Sequence, residues 1–201
     1  LAEESCHVEI EVLGRPIGKQ DQYATAFGGL NYISFQPDGR VHLDSLWLPG
    51  DGMGALFRNS LLFWTGMQRD VGDILEEQRH NIKDTGATLM AMRDMAAECR
   101  DLLLAHPDDP WKLGTLLDAG WRAKRGLASK ITSSDIDSCY ARALAAGAIG
   151  GKITGAGGGG FLWIVAPPER HGQVRAALSE MVDVSVAYEA RGARILSVVG
   201  G

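Results

Sequence analysis

Between two strand-like segments the chain reads Lys152-Ile153-Thr154-Gly155-Ala156-Gly157-Gly158-Gly159-Gly160. Residues with little or no side chain let consecutive backbone N–H groups turn inward and approach an anion closely, which is how loops and nests hold phosphate. Gly155, Ala156, Gly157, Gly158 and Gly159 are therefore candidate phosphate contacts. The run is not a Walker A loop, because no Gly-Lys-Ser or Gly-Lys-Thr follows it, and it is not GxGxxG after a first strand. A flexible turn or tight strand packing would use the same composition. A second group, Gly18-Lys19-Gln20-Asp21-Gln22, sets a loop carboxylate among a lysine and two amides. Such a carboxylate stays ionised and can orient or deprotonate a hydroxyl, as phosphoryl transfer to an alcohol requires; a solvated Asx-turn needs the same residue. Glu9 and Glu11 stand two apart in a helical stretch, so at most one can face a metal while the other meets water. His7, His42, His80, His106 and His171 show no paired ligand spacing and are not assigned to metal.

These residues need elements to position them. Glu3 to Leu13 has helical composition, stopped by Gly14-Arg15-Pro16. The loop holding Asp21 runs into a short helical turn from Tyr23 to Gly28-Gly29. Residues 30–47 read as a hairpin about Pro37-Asp38-Gly39. Pro49-Gly50-Asp51-Gly52 breaks the pattern and marks a domain boundary between residues 48 and 60. Leu61-Leu62-Phe63-Trp64 is a continuous apolar run, as in a strand buried on both faces. Two helical stripes follow, Val71, Ile74, Leu75 and Ile82, then Leu89, Met92, Ala96, Cys99 and Leu103. Further helices are expected near Trp111–Lys124 and Asp135–Ala146, the latter opened by Ser134 with Asp137 three residues on in the capping-box pattern. The last section reads strand, helix, strand: Gly151–Thr154 and Phe161–Val165 flank the glycines, Val174 to Met181 mark a helix, and Val182–Tyr188 pairs with Ala193–Val199 across Gly192.

The chain has 201 residues, 45% hydrophobic and 22% charged, with 20 Lys and Arg against 25 Asp and Glu and a formal net charge of −5. That composition closes a globular core and excludes disordered and collagenous classes. No apolar run approaches the roughly 18 residues of a membrane span. The acidic balance offers no clustered basic footprint, so no nucleic-acid partner is expected. Cys6, Cys99 and Cys139 are odd in number and in no CxxC spacing, which indicates neither a disulfide framework nor a zinc site and fits a reducing cytoplasm. The stretch from Leu1 lacks a basic region and apolar core, so it is not expected to act as a signal peptide.

Taken together, the segments resemble the GHMP kinase superfamily, the small-molecule kinases that include galactokinase, homoserine kinase and mevalonate kinase. Lys152 to Gly160 is similar to that superfamily's third motif, and Gly18-Lys19-Gln20-Asp21-Gln22 is similar to its Gly-x-x-Asp-Gln catalytic segment. Val12 to Ala24, Phe27 to Ile33, Trp64-Thr65-Gly66-Met67-Gln68-Arg69 and Lys124 to Ile131 resemble the bacterial branch acting on D-glycero-D-manno-heptose 7-phosphate. The superfamily's first motif and its second, a Pro-x-x-x-Gly-Leu-Gly-Ser-Ser loop, do not occur in the sequence. The expectation is a C-terminal portion of such a kinase.

The resemblance implies an α+β fold. Residues 1–55 would be the tail of a ribosomal S5-like N-terminal domain and residues 56–201 a ferredoxin-like C-terminal domain, with the active site between them. It implies transfer of the ATP γ-phosphoryl to a sugar or sugar-phosphate hydroxyl, with Asp21 acting on that hydroxyl, Glu9 holding Mg2+, and Gly155 to Gly159 approaching the phosphates. Lys124, Arg125 and Lys130 would contact anionic substrate groups, though all three could equally be solvated helix-end charges. A kinase for fucose or galactose, a non-catalytic sugar-binding or regulatory paralogue, and a standalone ferredoxin-like interaction module are the alternatives.

Overall fold

A computed structural model describes residues 1–67 and 71–194. Contacts divide the chain into two units, one holding Leu1–Trp47 with the chain from Tyr188 onward, the other Leu48–Ala187.

In the first unit α1 (Ala2–Cys6) runs into a π-helical stretch, His7–Val12, where Leu13 N–H reaches back five residues to the Val8 carbonyl at 2.9 Å. α2 (Gln20–Phe27) follows, then an antiparallel hairpin of β1 (Asn31–Phe35) and β2 (Val41–Ser45). The hairpin turns where Pro37-Asp38-Gly39 predicts: Gly39 takes φ +85° and Asp38 Oδ1 accepts from Arg40 N–H at 3.1 Å. Ala2, Cys6 and Tyr23 are its buried centre, with Ile10, Ala26, Ile33, Val41 and Leu43 packed around them. The returning chain lies against α2, with Ala193 N–H donating to the Thr25 carbonyl at 3.1 Å.

The second unit begins with α3 (Gly52–Arg58) and β3 (Ser60–Trp64), followed by α4 (Val71–His80), α5 (Ile82–Ala105), α6 (Pro110–Arg125) and α7 (Ser134–Ala145). It continues through β4 (Gly150–Ile153), β5 (Phe161–Val165), α8 (His171–Ala177) and β6 (Val182–Asp183). The sheet is antiparallel in the order β4-β5-β3-β6, the arrangement of a ferredoxin-like split β-α-β. α6 starts on a built cap: Asp109 accepts from Trp111 and Lys112 N–H, and Pro110 takes the first turn where no donor is needed. It crosses β4 so closely that a Cβ on Gly150 would stand 1.9 Å from the Gly114 carbonyl. Ile131, Ile153, Leu162 and Ile164 have no exposure in the core beneath the helices, and each such burial contributes about 2 kcal/mol. The mixed helix and sheet class read from the sequence is what forms.

Several local expectations change. Asp21 sits in the first turn of α2, not in a loop, a place where a carboxylate complements the helix dipole. β3 buries Leu61 and Phe63 while Leu62 and Trp64 are half-buried, so one face carries the core. Ile82 belongs to α5, exposed at its start, and Leu89 is exposed too; only Leu103 of the second stripe is fully buried. The cap of α7 is Ser133, whose extended backbone lets Oγ accept from Ile136 N–H at 3.3 Å; Ser134 is already helical. Asp137 accepts instead from Thr132 and Arg125. β6 pairs with β3 through Phe63–Asp183 and Trp64–Val182. Most of the expected partner strand Ala193–Val199, like Gln68 and Arg69, lies outside the described residues.

Candidate phosphate-binding site

In the first unit the π-helical widening brings His7 Nδ1 and Glu11 Oε2 to 2.8 Å at the surface. Glu9 is half-buried and its carbonyl accepts from Arg15 N–H at 3.0 Å. Asp21 is exposed, with Gln20 Nε2 donating to Oδ1 at 3.3 Å. Among the described residues no hydrogen bond or ion pair joins Glu9 to Asp21, and no group of three or more His, Cys, Asp or Glu gathers as a metal cage. A lone glutamate suits Mg2+, which is held by one or two carboxylates together with substrate phosphates and waters. Beside Asp21, Gln22 is buried with Oε1 unpartnered among the described residues. Tyr23 donates to Glu3 at 3.4 Å, and burial followed by that carboxylate's charge pushes its phenol up.

In the second unit the turn between β4 and β5 carries the glycine run. It is held from three sides. Gly158 N–H donates to the Ile131 carbonyl at 2.7 Å, and Gly160 N–H to the Met67 carbonyl at 3.0 Å. Thr65 donates to the Gly160 carbonyl through N–H at 2.9 Å and through Oγ1 at 2.8 Å. Lys124, in the last turn of α6, donates from Nζ to the Gly155 carbonyl. Among the described residues the N–H groups of Gly155, Ala156, Gly157 and Gly159 have no backbone acceptor, whereas that of Gly158 is engaged. Four donors on a closely approachable turn are what an anion cradle needs.

The three predicted cationic contacts have different surroundings. Arg125 pairs with Asp137 at 3.0 Å and Lys130 with Asp73 at 2.7 Å. Lys124 has no carboxylate partner among the described residues; burial, then the nearby charge of Lys152, lowers its ammonium to about 8. Burial also lowers Lys152. In the sequence Lys152 stands out only as the start of the glycine motif. Its position on β4, between buried Gly151 and Ile153 and directly before the glycines, was the available signal.

α4 and Asn81 just beyond it supply a support that no sequence pattern announced. Glu77 accepts from Ser129 N–H at 2.8 Å and Ser129 Oγ at 3.0 Å, and Asn81 Nδ2 donates to the Leu127 carbonyl at 3.1 Å. These bonds hold the segment whose Ile131 carbonyl receives Gly158. The contacting residues are about fifty positions apart, beyond any local motif.

Residues 108–184, which hold α6, α7, β4, the glycine turn, β5 and α8, match the family described as GHMP kinases C terminal. Over 183 residues the chain is 28% identical to a D-glycero-alpha-D-manno-heptose 7-phosphate kinase of Campylobacter jejuni, covering 90% of this chain and 53% of that protein. It is 26% identical to a mevalonate kinase of Thermococcus onnurineus, covering 86% of this chain and 49% of that one. Among solved structures, a D-glycero-D-manno-heptose 1-phosphate kinase from Bacteriodes thetaiotaomicron superposes with a TM-score of 0.66 at 26% identity, covering 98% of this chain and 55% of that chain. The chain spans about half the length of the curated relatives it matches.

Proposed function

We propose that the protein serves an ATP-dependent sugar kinase of the GHMP family, acting on the anomeric hydroxyl of D-glycero-D-manno-heptose 7-phosphate. The observation that carries this reading is the glycine turn itself, with four N–H groups that have no backbone acceptor among the described residues and a lysine donating to its first carbonyl. On this reading residues 1–55 belong to an N-terminal domain and residues 56–201 to the C-terminal domain. Gly155, Ala156, Gly157 and Gly159 donate to phosphate oxygens, where fixed donors stabilise charge as it shifts in transfer; Gly158 fixes the turn. Asp21 orients the attacking hydroxyl and takes its proton. Glu9 holds Mg2+ directly or through water, and the ion would neutralise phosphate charge. The reaction belongs to the cytoplasm, where ATP is supplied.

The test is ADP release by the protein made from its own gene, with ATP, Mg2+ and heptose 7-phosphate, beside fucose, galactose and mevalonate. Turnover is expected on the heptose phosphate, and Asp21→Asn should lower kcat about 10²–10⁴-fold. Normal turnover by that variant would remove Asp21 from the chemistry. The mevalonate kinases among the relatives make mevalonate the competing acceptor. Turnover on that compound alone would replace the sugar assignment, and sugar binding without turnover would favour the regulatory paralogue.

A further inference from the structure

Lys124, in the last turn of α6, reaches the glycine turn, Lys152 stands on β4, the strand that leads into that turn, and both are half-buried. Lys124 Nζ donates to the Gly155 carbonyl, which fixes that ammonium at the first residue of the turn and leaves two of its three N–H groups over. Lys152 lies on β4 three residues before Gly155, near enough for its charge to act on Lys124. Neither lysine has a carboxylate partner among the described residues, although the unit pairs its neighbours Arg122, Arg125 and Lys130 with Asp118, Asp137 and Asp73. Cys99 on α5 is the other titratable group beside Lys152, and burial raises its thiol, so it supplies no counter-charge at neutral pH. Two like charges drawn partly out of water and left uncompensated disfavour the folded state. Such an arrangement is retained where a ligand supplies the missing charge.

We propose that Lys124 and Lys152 together form a subsite for a phosphate group at the start of the glycine turn, with the free N–H groups of Gly155 and Ala156 beside it. Lys152 is thereby a binding residue, and Arg125 and Lys130 are structural ones, each occupied by its own aspartate. The phosphate comes either from the nucleotide or from a phosphorylated acceptor. The subsite rests on the kinase reading only for these two sources; the affinity for phosphate stands without it.

The experiment is calorimetric titration of the full chain and of its Lys152→Met, Lys152→Arg and Lys124→Met variants with inorganic phosphate, with ATP, and with heptose 7-phosphate beside unphosphorylated heptose. Methionine keeps the apolar stem, so ligand-free thermal stability should hold or rise. Lys152→Met and Lys124→Met should weaken phosphate binding tenfold or more, and Lys152→Arg should restore most of it. A loss confined to ATP assigns the nucleotide as the source. A loss for heptose 7-phosphate but not for heptose assigns the acceptor. Binding within twofold of the parent in both folded methionine variants, for every phosphate compound, overturns the subsite. Lysine-dependent phosphate binding with no turnover on any acceptor would instead overturn the kinase reading and leave the subsite standing.

Discussion

Gly155 and Gly157 are glycine for different physical reasons, and single alanines separate them. Gly155 has φ +67° with nothing within 4 Å of where a Cβ would be, so Gly155→Ala meets only the left-handed backbone penalty of about 1 kcal/mol. Gly157 has φ +106°, and a Cβ there would stand 2.8 Å from the Ile131 carbonyl. Gly157→Ala should therefore destabilise by more, about 2–3 kcal/mol, and displace the turn so that ATP affinity falls as well. Urea unfolding of the two variants checks the order, and equal losses would place the requirement in φ alone. The glycine run, and the tight turn it makes between two strands, were legible in the sequence. Which of its N–H groups are free was not, because Ile131 and Met67, which engage Gly158 and Gly160, come from distant segments.

At the scale of elements, α4 fixes the glycine turn indirectly. Glu77 holds Ser129 by two hydrogen bonds, and two residues later Ile131 receives Gly158. Those two bonds hold the Glu77 carboxyl below its usual range. Glu77 is thus a positioning residue. Glu77→Ala should raise the KM for ATP threefold or more with a smaller change in kcat, and Glu77→Gln, which keeps an acceptor oxygen, should recover part of it. An unchanged KM in Glu77→Ala would show that the turn is held well enough by Met67, Thr65 and Lys124. The helices over Trp111–Lys124 and Asp135–Ala146 were readable from periodicity, but the cap of α7 shifted to Ser133 because capping depends on backbone conformation, not residue type alone. Similarly, the partner of Val182 could not be read locally: an edge strand pairs with whichever edge tertiary packing leaves beside it.

Over the whole molecule, the depressed Lys124 ammonium links stability and ligand binding to pH with opposite signs. Its folded value is about 8, against 10.5 for an ordinary lysine, so between these limits the unfolded chain holds more protons than the folded one. The cost of this charge to the folded state is fully present below pH 8 and disappears as pH rises toward 10.5. The difference in melting temperature between Lys124→Met and the parent should therefore shrink across that window, while phosphate affinity of the parent falls as pH rises through 8. The opposite trend in either measurement would contradict an uncompensated Lys124. Among the described residues no helix is long and apolar enough to cross a membrane. The sequence by itself determined the mixed helix and sheet class, the hairpin at Pro37-Asp38-Gly39 and the glycine turn, because periodicity and turn chemistry are local properties. Tertiary structure alone decided that Arg125 and Lys130 are neutralised while Lys124 and Lys152 are not, because ion pairing depends on which carboxylates packing brings within reach. Asp73 and Asp137 come from α4 and α7, and no spacing along the chain foretells that they arrive beside Lys130 and Arg125.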